Sequence, residues 1–215
     1  MKLHYRVQHA VGRDAGLERL LPLLPPAAEV VTDHETSDPN PFRNYLRCLT
    51  GAPTGTTHLC VLQDDAVPCA SFAGHVAEAV GERPDDVISL FVGGLSGRTR
   101  KDFWEAQSRG ERWSKVYFRE IHHVVALVWP VPLAQEFLDW WATEPRIPGP
   151  KVQRSDDAVV GHWIKSTYAN RNTRRIVWAT VPCLVEHLDD LPSVVQGNRR
   201  LGDKGRRAIA FIDDM

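Results

Sequence analysis

The chain has 215 residues, 43% of them hydrophobic, and a formal net charge of -1. That length fits one domain, or a domain with a small extension, and supplies enough apolar side chains for a core. The near-neutral charge gives no global argument for nucleic acid or an anionic membrane, and no apolar run reaches the ~18 residues that mark a membrane-spanning helix. The N-terminus lacks the apolar region of a signal peptide. Cys48, Cys60, Cys69 and Cys183 are scattered with no CxxC pair, which suits free thiols in a reducing compartment, so a cytoplasmic location is expected.

Residues 2–10 alternate, with Leu3, Tyr5 and Val7 on one side, and predict an opening strand that Gly12 breaks. Residues 15–24 carry Leu17, Leu20, Leu21 and Leu24 at helical spacing, ended by Pro25-Pro26. Residues 29–32 read as a second strand, followed by Asp33. After a polar loop, Pro41 suits the first turn of a helix over PFRNYLRCL, where its missing N–H has no helical partner. A third strand, THLCVLQ, stops at Asp64-Asp65. Strand, helix, strand, helix, strand is the signature of a parallel α/β sheet with helices on its faces.

Farther on, residues 71–80 predict a helix with Phe72, Val76 and Val80 inward, and residues 87–92 a strand. GGLSGRTR (93–100) reads as a loop, either a lid or phosphate contact or a plain connector. Residues 104–117 show no clean period. Residues 122–129 predict a strand, 134–142 a helix using Phe137 and Trp140 or Trp141, and 144–151 a loop. Ser155-Asp156-Asp157 stands before AVVGHWIKSTY, a helix-capping signal. Residues 176–180 read as a strand. The tail is basic and then apolar, and folds back through Ile209, Phe211 and Ile212.

Paired acids at the end of a buried strand lie where open α/β sheets hold ligands, and they suit a hard divalent cation such as Mg²⁺ or Mn²⁺. The opposing reading is a solvated acidic turn. Three segments together resemble the metal-dependent nucleotide-sugar glycosyltransferases of the GT-A fold, in particular small bacterial and phage enzymes related to the lipopolysaccharide glycosyltransferase family. They are VLQDD at 61–65, SDDAVVGHW at 155–163 and VPCLVEHLDDLPS at 181–193. The first departs from the family's Asp-x-Asp, and Cys183 stands where serine is commoner.

The resemblance implies one α/β domain, GT-A-like (Rossmann-like), with a mixed, mostly parallel sheet flanked by helices. Residues 1–95 would form the nucleotide-sugar half, 96–198 the acceptor half and 199–215 a basic tail. It implies Mn²⁺ or Mg²⁺ on Asp65, with Asp64 next to it or on the donor, and His187 as third ligand. Asp157 or Asp156 would be the general base toward the acceptor hydroxyl. Asp33, Arg43, Arg47 and Arg199 would contact the donor, expected to be a UDP sugar; guanidinium groups bind phosphate in bidentate fashion. Trp104, Trp113, Tyr117 and Trp163 are candidates for stacking on acceptor sugars or for the core. His122-His123, adjacent on a strand, point to opposite faces and make poor joint ligands. The acceptor is open between protein, glycan, lipid and modified nucleic acid, and oligomeric state is open. Two other readings stand beside this one. One is a nucleotidyltransferase, disfavoured because no glycine-rich loop follows the first strand. The other is a non-catalytic carbohydrate- or protein-binding module on a transferase-like scaffold.

Overall fold

The computed structural model describes residues 1–35, 40–93, 97–117, 124–143, 155–167, 175–188 and 207–212. The chain begins β1 (Leu3–Ala10), α1 (Asp14–Leu20), β2 (Glu29–Asp33), α2 (Pro41–Leu49) and β3 (His58–Gln63). It continues through β4 (Ala66–Pro68), α3 (Phe72–Glu82), β5 (Val87–Ser89), α4 (Arg98–Ser108) and β6 (Trp113–Val116). Then come β7 (Ala126–Pro130), α5 (Val131–Thr143), α6 (Asp156–Thr167), β8 (Val177–Thr180) and β9 (Val185–His187).

Seven strands form one sheet in the order β2-β1-β3-β7-β5-β8-β6. Strands β1, β2, β3, β5 and β8 run one way, and β7 and β6 run the other. This is the expected α/β architecture with a mixed, mostly parallel sheet. Helices cover both faces, so β3 reads as a continuous apolar run rather than an alternating one. Leu59 and Val61 pack on the face covered by α2, α4, α5 and α6, together with Trp129, Phe137 and Trp163. Cys60 and Leu62 pack on the opposite face, with Leu20 before it and Phe72 and Val76 of α3. Each such fully buried side chain stabilises the fold by about 1.5–3 kcal/mol. Leu3, Tyr5 and Val7 share that second face, as their alternation predicts.

Helix α2 is fixed to the sheet by polar contacts as well as apolar ones. Asn40 caps it by accepting from Arg43 N at 3.0 Å. Buried Arg6 of β1 donates to the carbonyls of Cys48, Thr50 and Gly51 at the other end, where a cation complements the helix dipole. Asn44 Nδ2 donates to the carbonyls of His9 and Val31, both at 2.9 Å. These bonds set α2 above the carboxyl ends of β1 and β2.

Several sequence expectations are revised. The helix over 15–24 stops at Leu20 and tightens into a 3-10 turn over Leu21–Leu23, because Pro22 has no N–H for an α-helical bond. Beyond the expected end of the third strand, Ala66–Pro68 forms a further strand that pairs antiparallel with β9 in a separate two-stranded sheet. The strand over 87–92 shortens to Val87–Ser89, since Leu90 turns to accept from Leu184 N and Val185 N. Arg98, Thr99 and Arg100 belong to α4, not to a loop: Phe103 and Ala106 anchor the helix, and Arg98 lies 4.5 Å over the Tyr117 ring. Residues 104–117 lack one period because they join the end of α4 to β6. The tail segment 207–212 does fold back, with Gly93 bridging Ala208 and Cys183 bridging Phe211. All four cysteines are free and buried. Among the described residues no helix is long and apolar enough to cross a membrane.

Candidate functional site

Strand β1 has β2 on one side and β3 on the other, while α1 and α2 pack on opposite faces of the sheet. Strand order reverses there, and in open α/β sheets such a reversal leaves a crevice outside the carboxyl ends of the adjoining strands, here β1 and β3. In register Gln8 faces Gln63. The next residues, His9 and Asp64, therefore stand side by side at the mouth of that crevice.

The turn after β3 holds its two carboxylates inside the protein, each residue only 2% exposed. Asp64 Oδ2 accepts from Ala10 N at 3.1 Å and lies 3.0 Å from His9 Nδ1. Asp64 Oδ1 lies 3.0 Å from Arg13 Nη2, and Asp65 Oδ2 accepts from the same Nη2 at 2.5 Å. His187 Nε2 is 3.2 Å from Asp65 Oδ2. The histidine arrives through the β4–β9 pair, where Ala66 faces His187 and Leu188 N donates to Asp65 O at 2.9 Å. Both acids are buried and paired with His9, Arg13 or His187, which rules out the solvated-turn reading.

Environment separates the two acids. Burial pushes both toward the neutral form. For Asp65 the hydrogen bond and charge of His187 and the Arg13 guanidinium prevail and hold it well below the usual carboxylate range. For Asp64 burial wins over Arg13, and the Asp65 charge adds to it, so its pKa is raised. Burial also works against the Arg13 charge, but Asp65 and Asp64 outweigh it and raise the guanidinium above its ordinary value.

A second cluster ends β2. Asp33, 6% exposed, accepts from Arg43 Nη2 through both oxygens at 3.0 and 2.9 Å, and Arg47 Nη1 lies 3.4 Å away. Three of the residues expected at the donor are therefore brought together. Their arginine side chains remain 33% and 51% exposed.

A third group lies at the start of α6. Asp156 is buried; its Oδ2 accepts from Gln63 Nε2 at 3.1 Å and, more weakly, Gln8 Nε2 at 3.5 Å. Its Oδ1 accepts from Asp157 N at 2.9 Å. Burial first, and then the Asp157 charge, push Asp156 up to about 7. Asp157 is half-buried, accepts from Ala158 N at 2.7 Å and from the Ser155 hydroxyl. The pair thus divides: Asp156 ties α6 to β1 and β3, and Asp157 stands nearer solvent.

Arg199 and His122-His123 lie outside the described residues. Of the aromatic candidates, Trp163 is a core residue against Trp129 and Phe137. Trp113 takes Arg83 at 4.8 Å over its ring and donates to Glu82, so it braces a sheet edge. Tyr117 donates to Asp102 at 2.6 Å. Trp104 is 44% exposed on α4.

The expected metal ligands meet, but as a chain of contacts rather than a cage. Among the described residues no group of three or more acid, imidazole or thiol side chains is placed to hold a metal ion. Arg13 stands between the carboxylates instead. Sequence reasoning missed Arg13 and His9. The signal was there: they flank the first strand-to-helix turn, beside the third strand in any parallel sheet of this order.

No protein-family model matches the chain, and no curated protein matches it. Among solved structures, residues 1–349 of S. aureus TarS, a glycosyltransferase, superpose with a TM-score of 0.51 at 13% sequence identity. The match covers 83% of this chain and 60% of that one. At that identity the likeness shows the fold: a glycosyltransferase-like α/β fold.

Proposed function

We propose that the protein is a glycosyltransferase that moves a sugar from a nucleotide sugar, with a UDP sugar as the first donor to test. One observation carries the reading. Two separate acid–arginine clusters, Asp33–Arg43–Arg47 and Asp64–Asp65–Arg13, flank the crevice at the carboxyl ends of β2, β1 and β3 in a glycosyltransferase-like fold. That crevice is where such sheets receive nucleotides. Arg43 and Arg47 are exposed enough to turn from Asp33 to a ribose or phosphate, leaving the carboxylate for a ribose hydroxyl.

In an inverting transfer Asp157 takes the proton of the acceptor hydroxyl, the acceptor oxygen bonds to the sugar's anomeric carbon, and the bond to the diphosphate breaks toward the leaving group. Asp157, half-buried, suits this better than Asp156, which is buried with its oxygens engaged by Gln63 and by the α6 backbone. Asp156 is a positioning residue that sets the start of α6 over the crevice.

The test is a thermal-shift screen with UDP, GDP, CDP and their sugars. A ligand that binds only the folded chain raises Tm by mass action. A shift with one nucleotide, reduced in Asp33→Ala, supports the reading and names the base. No shift with any nucleotide at millimolar concentration would overturn it.

A further inference from the structure

We propose that Arg13 is the resident cation of the Asp64–Asp65 turn and that it excludes divalent metal from it. A Mg²⁺ or Mn²⁺ ion would bind carboxylate oxygens at about 2.0–2.2 Å. Arg13 Nη2 already stands 2.5 Å from Asp65 Oδ2 and 3.0 Å from Asp64 Oδ1. Those two oxygens are the ones the turn presents to a shared partner. The other oxygen of Asp64 faces the Ala10 amide and His9. An ion and a guanidinium cannot share that point, by overlap and by like charge.

Arg13 is held in place from behind, unlike a long side chain resting on a surface. Its N–H donates to Ala10 O at 3.2 Å, and its carbonyl accepts from Gly16 N at 2.9 Å. Gly12 before it has φ +88, a left-handed conformation that a glycine adopts at little cost. The side chain is 11% exposed. Metal entry would require this cation to leave two buried carboxylates and would place a second positive group in the same space. A guanidinium also keeps its proton at every working pH, and a chelator cannot remove it. Among the described residues its buried Nε has no hydrogen-bond partner.

The inference does not rest on sugar transfer; it concerns which cation the site holds. It also departs from the Mn²⁺ or Mg²⁺ that the sequence resemblance implies. Two measurements on the full chain test it: the free Mn²⁺ signal by electron paramagnetic resonance during titration, and UDP affinity by calorimetry in Mn²⁺ and in EDTA. The wild type should leave millimolar Mn²⁺ free, and its UDP affinity should agree within about twofold between the two buffers. Arg13→Ala should take up Mn²⁺, and Arg13→Ala combined with Asp65→Asn should lose it again. Mn²⁺ bound by the wild type and lost in Asp65→Asn overturns the proposal, as does a folded Arg13→Ala that binds none. Should Arg13→Ala fail to fold, the wild-type titration beside Asp65→Asn decides. UDP that binds in neither buffer would count against the sugar-transfer reading, with the Mn²⁺ titration still judging Arg13.

Discussion

Two clusters in this molecule use the same chemistry, carboxylate against arginine, at neighbouring strand ends. At Asp64–Asp65 both acids and the guanidinium are nearly enclosed, and the residues come from β1, the turn after it, the β3–β4 turn and β9. At Asp33 the acid is enclosed but its arginines are not, and all three come from one strand and the next helix. The first arrangement makes each charge depend on the others, because removing one leaves a desolvated ion behind. The second lets its cations turn toward a ligand at small cost. One turn encloses its charges, and the other leaves its two cations open to solvent.

The largest effect is expected where enclosure is greatest. Asp65→Ala leaves Arg13 facing buried His187 without their shared counter-ion, and should destabilise the fold by about 3–5 kcal/mol. Urea denaturation measures it; a loss under about 1 kcal/mol would show that the enclosed cluster is no more coupled than the open one.

Next is the pH dependence from Asp156. Its folded pKa of about 7 lies above the ordinary carboxylate value of 3.8, so the folded chain keeps a proton that the unfolded chain gives up. Stability should fall as pH rises from about 4 to about 7, by about 2–4 kcal/mol, and level off above that. Asp156→Asn should flatten this slope in denaturation series at several pH values. Asp65 has the opposite sign: its depressed pKa contributes stability above the ordinary carboxylate range, lost as pH falls through the lower folded value. A slope unchanged in Asp156→Asn would assign the pH dependence elsewhere.

Smaller effects belong to the open cluster. Asp33→Ala should lower UDP affinity about tenfold, worth about 1.4 kcal/mol of binding, because the ribose hydroxyl loses the carboxylate that would accept from it. Calorimetry that finds equal affinity would remove the cluster from the donor site. Arg47→Ala should change stability by no more than about 0.5 kcal/mol, as suits a half-exposed ion pair at 3.4 Å. A larger loss in thermal denaturation would mean that this cluster, too, is a fixed support.

The sequence by itself determined the strand–helix alternation of the first 63 residues, the burial of β3 and the α/β class. It did so because periodicity and proline placement are local signals that packing on both faces reinforces. It also marked Asp33, Asp64, Asp65, Asp156 and Asp157, since an acid at a strand end or a helix start is visible without knowing its neighbours, while His187 was marked by the family resemblance alone. Only the tertiary structure decided what those residues face. The β4–β9 pair carries His187 back to Asp65 from over a hundred residues away. The parallel register of β1 and β3 sets His9 beside Asp64, and the turn at Gly12 delivers Arg13 to both acids. Strand pairing between distant segments leaves no spacing in the chain to read, and the charge balance of a buried site follows from that pairing alone.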